Sequence, residues 1–204
     1  MMFISCNRVD KTKAMEALII NKSKFEKSLI DHFPDELGFC QKYKIVSDEN
    51  VLKNNIGLLI YCYNVNERYL DSLNIYYENQ SLVKYTNSDS CLLVVNRFEN
   101  LETLNKGEKV YLDYETRKNQ NKECFYNRLP IPKFLNYQNI NLNKDTNLPD
   151  GFVYYVLEAK PQKISRKYDL IPNPQMPPTW ENGFSKGIAI NNNKRKVIFW
   201  GIMW

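Results

Sequence analysis

The sequence predicts one α+β domain, with helices first and antiparallel strands last. Three observations carry that expectation. Apolar residues recur at helical spacing within the first 80 residues, apolar runs of strand length follow from Gly57 onward, and the chain closes on two such runs around a polar turn. At 204 residues the chain can bury about 70% of its unfolded surface, so its core needs neither metals nor disulfides. Hydrophobic residues make up 43%, and there are only seven glycines and nine prolines, which excludes disordered and collagen-like chains. No apolar run reaches the roughly 18 residues that a membrane-crossing helix requires.

The elements follow in order. Asp10–Ile20 and Ser23–His32 have helical spacing, and Ser23 with Glu26 fits a capping box, in which each side chain satisfies a free amide of the first turn. Phe33-Pro34 ends the second helix, because proline disfavours a helical residue before it. Gly57–Tyr63 (GLLIYCY) has strand length. Asn66–Glu78 then places Tyr69, Leu70, Leu73, Tyr76 and Tyr77 on one helical face, with Asn64 or Asn66 as cap. Cys91–Val95 (CLLVV) is the next strand. Strand, helix and strand within about forty residues predict a right-handed crossover between parallel strands.

Beyond this unit, Lys106-Gly107 turns into Val110-Tyr111-Leu112, and Arg117–Glu123 and Asn136–Pro149 read as loops. Phe152–Leu157 is rich in β-formers. Ile171–Trp180 (IPNPQMPPTW) can only be an extended proline-rich loop. Ile188–Ile190 is expected to pair antiparallel with Val197–Trp204 across an Asn191–Lys196 turn whose asparagines accommodate positive φ. Val197–Trp204 is apolar on both faces apart from Gly201, the pattern of a strand covered on both sides. The same pattern argues against an outer-membrane barrel strand, which needs one polar face.

At the N-terminus, Phe3-Ile4-Ser5-Cys6 places apolar residues and a small residue before a cysteine, and polar residues follow from Asn7. This resembles the end of a bacterial lipoprotein signal. The resemblance implies a lipid anchor on Cys6, residues 1–11 as tether or tail, and a single globular domain over 12–204. Only five residues precede Cys6, whereas a complete signal carries a charged start and about 7–15 apolar residues. With Cys6 set aside, Cys40, Cys62, Cys91 and Cys124 form an even set compatible with two disulfides in an oxidising periplasm. Cys62 and Cys91 lie in apolar runs and read as buried thiols. The predicted crossover keeps them too far apart to bond, which leaves Cys40 and Cys124 as the expected partners.

Chemistry is sparse. Lys and Arg number 28 against 23 acids, but they are scattered and interleaved with acids, so nucleic-acid binding is not expected. There is no CxxC pair for a metal, no GxGxxG and no Walker-type lysine, so no cofactor is expected. His32, the single histidine, sits beside Asp31 at a helix end, where a charged imidazole complements the helix dipole. Asp113 and Glu115 share one face of a strand-like segment, the spacing of a general acid–base pair and equally of a solvated strand edge. Asn21-Lys22-Ser23 matches a glycosylation sequon but reads more simply as a helix cap. Pro174-Gln175-Met176-Pro177 has PxxP form, though packing by Trp180 explains it better.

These observations imply a non-enzymatic globular lipoprotein that binds something at the bacterial cell envelope, in the periplasm. Its partner is then a protein, its membrane contact the lipid anchor alone, and its most specific form an immunity-type inhibitor of a toxin or hydrolase. The alternative is a cytoplasmic enzyme or accessory protein with a site built from dispersed Tyr, Asp, Glu and Lys.

Overall fold

A computed structural model describes residues 11–49, 55–98, 111–112, 116, 123–134, 148–165 and 167–204. In chain order the elements are α1 (Lys11–Lys22), α2 (Lys27–Ile30), β1 (Lys42–Glu49), β2 (Ile56–Tyr63), α3 (Glu67–Gln80), β3 (Val83–Thr86), β4 (Val94–Val95), α4 (Glu123–Tyr126), β5 (Ile131–Pro132), β6 (Val153–Lys160), a 3-10 turn (Pro178–Trp180) that ends the proline-rich loop, β7 (Phe184–Asn191) and β8 (Lys196–Met203). The fold is α+β. Six strands form an antiparallel sheet in the order β1-β2-β8-β7-β6-β3, and β4 and β5 make a separate parallel pair.

The terminal hairpin forms as its pattern predicts. Ile188 lies opposite Phe199 and Ile190 opposite Val197, and the Asn192–Arg195 turn is exposed. The positive φ falls on Arg195, at 46°, rather than on an asparagine. β8 is central, paired to β2 on one side and β7 on the other. Its alternate side chains therefore feed two cores. Val197, Phe199 and Met203 join Leu18, Leu29 and Phe33 under the helices. Ile198, Trp200, Ile202 and Trp204 join Leu92, Phe134, Met176 and Trp180 under a layer made of loops and the β4–β5 pair. With both faces covered, a strand has no solvent side for polar residues, which is why β8 reads as an unbroken apolar run.

Gly201 fits this frame for a steric reason. A Cβ there would sit 2.6 Å from the Leu29 carbonyl oxygen, so only glycine lets α2 seat directly on β8. Gly201→Val is expected to destabilise the fold by about 2–3 kcal/mol through overpacking. The thermal midpoint should then fall by about 5–10 °C. An unchanged midpoint would mean that α2 lifts off the sheet at no cost.

Several sequence expectations need correction. The predicted helix over 23–32 shortens to the single turn of α2, and there is no capping box. Ser23 Oγ donates to the Ile20 carbonyl at 2.8 Å, finishing α1, while Glu26 accepts from Ser165 Oγ at 2.9 Å. α3 is present, and Asn66 caps it by accepting from the Arg68 and Tyr69 amides at 3.0 and 3.4 Å. Leu70, Leu73 and Tyr77 are buried as expected, but Tyr76 is 57% exposed.

The parallel crossover does not form. β2 is flanked by β1 and β8, while α3 carries the chain to β3 at the opposite edge of the sheet. Of Cys91–Val95, only Val94–Val95 is strand, paired with Ile131–Pro132 in the loop layer. β1, with its lysine-bearing edge, is a strand the sequence did not announce. The turn at Lys106-Gly107, the pair Asp113 and Glu115, and most of the loops 117–123 and 136–149 lie outside the described residues.

Candidate binding cleft

The most chemically loaded place among the described residues is built where α2, α3, β6 and β7 meet. β7 is buried throughout, and its Lys186, only 8% exposed, faces the helices. A buried ammonium must be paired. Lys186 Nζ donates to the Ser28 carbonyl at 2.7 Å and to both Asp31 carboxylate oxygens at 2.9 and 3.0 Å. Glu158 Oε2 lies 3.3 Å away.

Glu158 reaches this face because of a bulge. Val156 opposes Gly187 on the loop side of the sheet, the register shifts around Leu157, and Glu158 then stands opposite Lys186. An extra residue in one strand turns the following side chain to the other face. The other Glu158 oxygen accepts from Lys160 at 2.6 Å. The hydrogen bond from Lys160, the largest influence, together with the lesser effect of Lys186 holds the Glu158 carboxyl below the usual carboxylate range against the opposing effect of burial.

The His32 side chain is buried rather than a charged helix cap. It is 7% exposed, and its Nε2 lies 3.0 Å from both the Gly187 and the Trp200 carbonyl oxygens. Two acceptors at one nitrogen require that Nε2 carry the proton and donate. Nδ1 has no hydrogen-bond partner, with Asp31 Oδ1 at 3.7 Å. Burial pushes the imidazole down to about 4, and the Lys186 ammonium adds to it, outweighing the Gly187 carbonyl and Asp31. Gly187 is required beside it, since a Cβ there would collide with the Tyr155 carbonyl and the Trp200 ring.

The folded imidazole thus ionises below its unfolded value of about 6.5. Its contribution is complete above pH 6.5 and is lost as pH falls toward 4, about 3 kcal/mol in all. Urea midpoints measured between pH 7 and pH 4 should fall more steeply for the wild type than for His32→Gln, which keeps a donor but cannot titrate. Parallel slopes would place a charged imidazole in the folded state.

Above this floor lies an open cleft of about 610 Å³, walled by Tyr76, Tyr77 and Gln80 of α3, by Leu82, and by Leu157 and Lys160 of β6. Among its described lining residues two carboxylates and two lysines balance, and there is no serine, threonine or cysteine. The His32 Nε2 is turned into the sheet and the Lys186 ammonium is saturated by acceptors. What remains for a ligand is hydrogen bonding to Asp31, Lys160 and Gln80 and contact with the exposed Tyr76 ring. That is chemistry for holding a molecule. The sequence offered one signal for it, a lone lysine inside the apolar stretch FSKGIAI, and hid Glu158 behind a bulge.

The cysteines pair in a way the sequence did not predict. Cys40 bonds to Cys62, with Cα atoms 5.3 Å apart, and Cys91 bonds to Cys124, at 5.9 Å. Cys62 and Cys91 do not bond to each other, as expected, but Cys40 and Cys124 are not partners either, and Cys62 and Cys91 are bridged rather than thiols. The expected pair followed from the parallel crossover and fails with it: Cys62 lies near the end of β2, beside the residues that lead into β1. Pro174–Pro177 is a structural loop, with Gln175 and Met176 buried and the Asn173 side chain donating to Asn96 at 2.6 Å. Cys6 lies outside the described residues.

The fold and cleft define a disulfide-linked α+β domain. No protein-family model, curated protein or solved structure matches the chain.

Proposed function

We propose that this chain is a non-enzymatic binding protein of the bacterial cell envelope, tethered through an acylated Cys6. The observation that carries the reading is the pairing of Cys40 with Cys62 and Cys91 with Cys124. Four of the five cysteines are thereby used, and Cys6 is the one left for a lipid. Disulfides persist in the periplasm and on cell surfaces and are rare in a reducing cytoplasm. The reading of the cleft as a binding site is supported by its histidine, whose Nε2 is engaged by two backbone carbonyls, and by a described lining without serine, threonine or cysteine. Inhibition of a toxin or hydrolase is the most specific form of this function, with the partner meeting the Tyr76–Lys160 side of the domain.

Mass spectrometry of protein made from its native locus tests the reading. The expected result is a diacyl or triacyl adduct on Cys6 and no alkylation of the other four cysteines without reductant. An unmodified residue 1 with four alkylatable thiols would overturn it.

A further inference from the structure

We propose that α1 docks on an anionic lipid surface, with Met15, Ile19 and Ile20 set into the headgroup layer. A surface helix ordinarily gives its outer face to polar residues. α1 instead has apolar residues on both sides. Ala14 and Leu18 are buried toward the sheet, while Met15, Ile19 and Ile20 are 37%, 59% and 58% exposed. Ile19 and Ile20 stand in the last turn, and cations gather at that end.

Lys24 and Lys27 follow directly and are exposed, and Lys167 and Tyr168 are brought in from a distant loop by hydrogen bonds to the Lys24 carbonyl at 3.3 and 2.7 Å. The acids nearby are partly engaged: Glu26 accepts from Ser165 and Asp35 is paired with Lys22 at 3.1 Å, while Glu16 and Asp169 are exposed. Branched apolar side chains flanked by lysines, with a tyrosine at the rim, are the composition of helices that lie in a membrane interface. Lysine stems extend the apolar contact while their ammonium groups meet lipid phosphates.

A lipid surface fits better than a second copy of this chain or another protein. Three partly exposed side chains fall well short of the roughly 800 Å² per partner that a stable protein interface buries. The position in the chain agrees. Cys6 precedes Lys11 by five residues, at most about 18 Å of extended chain. A lipid on Cys6 and the face of α1 can therefore reach the same bilayer, and stable attachment usually needs two such signals. The biological setting rests on the envelope reading above, but the affinity for lipid does not.

The test uses the 204-residue chain carrying Cys6→Ser, so that no acyl group contributes. Cosedimentation is measured with vesicles of phosphatidylglycerol and phosphatidylethanolamine in equal parts and with pure phosphatidylcholine vesicles. Binding is expected to the anionic vesicles, to weaken with salt, and to fall about tenfold or more in Ile19→Glu/Ile20→Glu. Lys24→Glu/Lys27→Glu should weaken it similarly, and this pair carries the test if the isoleucine variant melts at a lower temperature. Ile75→Glu, at an equally exposed position on α3, should bind like the wild type.

Failure of the wild type to bind, or an equal loss in Ile75→Glu, would overturn the proposal. So would a concentration-dependent dimer that Ile19→Glu/Ile20→Glu dissolves. Absence of the Cys6 acyl group in native protein would defeat the envelope reading and leave this result standing.

Discussion

Deleting residues 197–204 is expected to abolish the cooperative unfolding transition rather than lower its midpoint. The segment is β8 without Lys196, together with Trp204, and it lies between β2 and β7. Seven of its eight residues carry apolar side chains, and each is 3% exposed or less. At about 1.5–3 kcal/mol for each buried side chain, their loss is comparable to or larger than the roughly 5–15 kcal/mol that holds an ordinary domain together. The deletion also opens two internal strand edges, so the sheet becomes β1-β2 on one side and β7-β6-β3 on the other. Differential scanning calorimetry checks this. A sharp endotherm near the wild-type temperature would mean that the sheet closes without its middle.

Reduction of both disulfides should have the next largest effect. The cysteines are 22 and 33 residues apart in sequence, and constraining loops of those lengths in the unfolded chain stabilises by about 3–4 kcal/mol each. Together they approach the net stability of a typical domain. The two bonds act at different places. Cys40–Cys62 fastens the approach to β1 against the end of β2, whereas Cys91–Cys124 ties together two segments of the loop layer. Replacing Cys91 and Cys124 with serine should therefore shift tryptophan fluorescence, because Trp180, Trp200 and Trp204 all belong to the core under that layer. Replacing Cys40 and Cys62 should lower the midpoint by about 10 °C and leave the fluorescence nearly unchanged. Reversed fluorescence effects would mean that the two cores are not separately fastened.

What the sequence disclosed and what it withheld divide along one physical line. Periodicity reports how a segment is covered, so β8, β7, β6 and α3 were legible: alternation or its absence states which faces are buried. Periodicity does not name the neighbour. Gly57–Tyr63 and CLLVV both read as covered strands, and their closeness in the chain suggested a pairing that the sheet gives instead to β1 and to β8. The same gap hid the cysteine partners and the cleft. Lys186, Asp31 and Glu158 are far apart in sequence, and one of them needs a bulge to face the others. β1 escaped notice because an edge strand is half wet, and it alternates exposed Lys42 and Lys44 with half-buried Tyr43 and Ile45.

The place of β8 has a consequence for timing. Every strand it joins is made before it, so β1-β2 and β7 can associate only as fragments until residues 196–204 have been synthesised. Non-local pairing of this kind is slow and leaves earlier segments loosely held. Both cores therefore stay open until this last strand is inserted, and a single strand closes the helical side and the loop side of the sheet together.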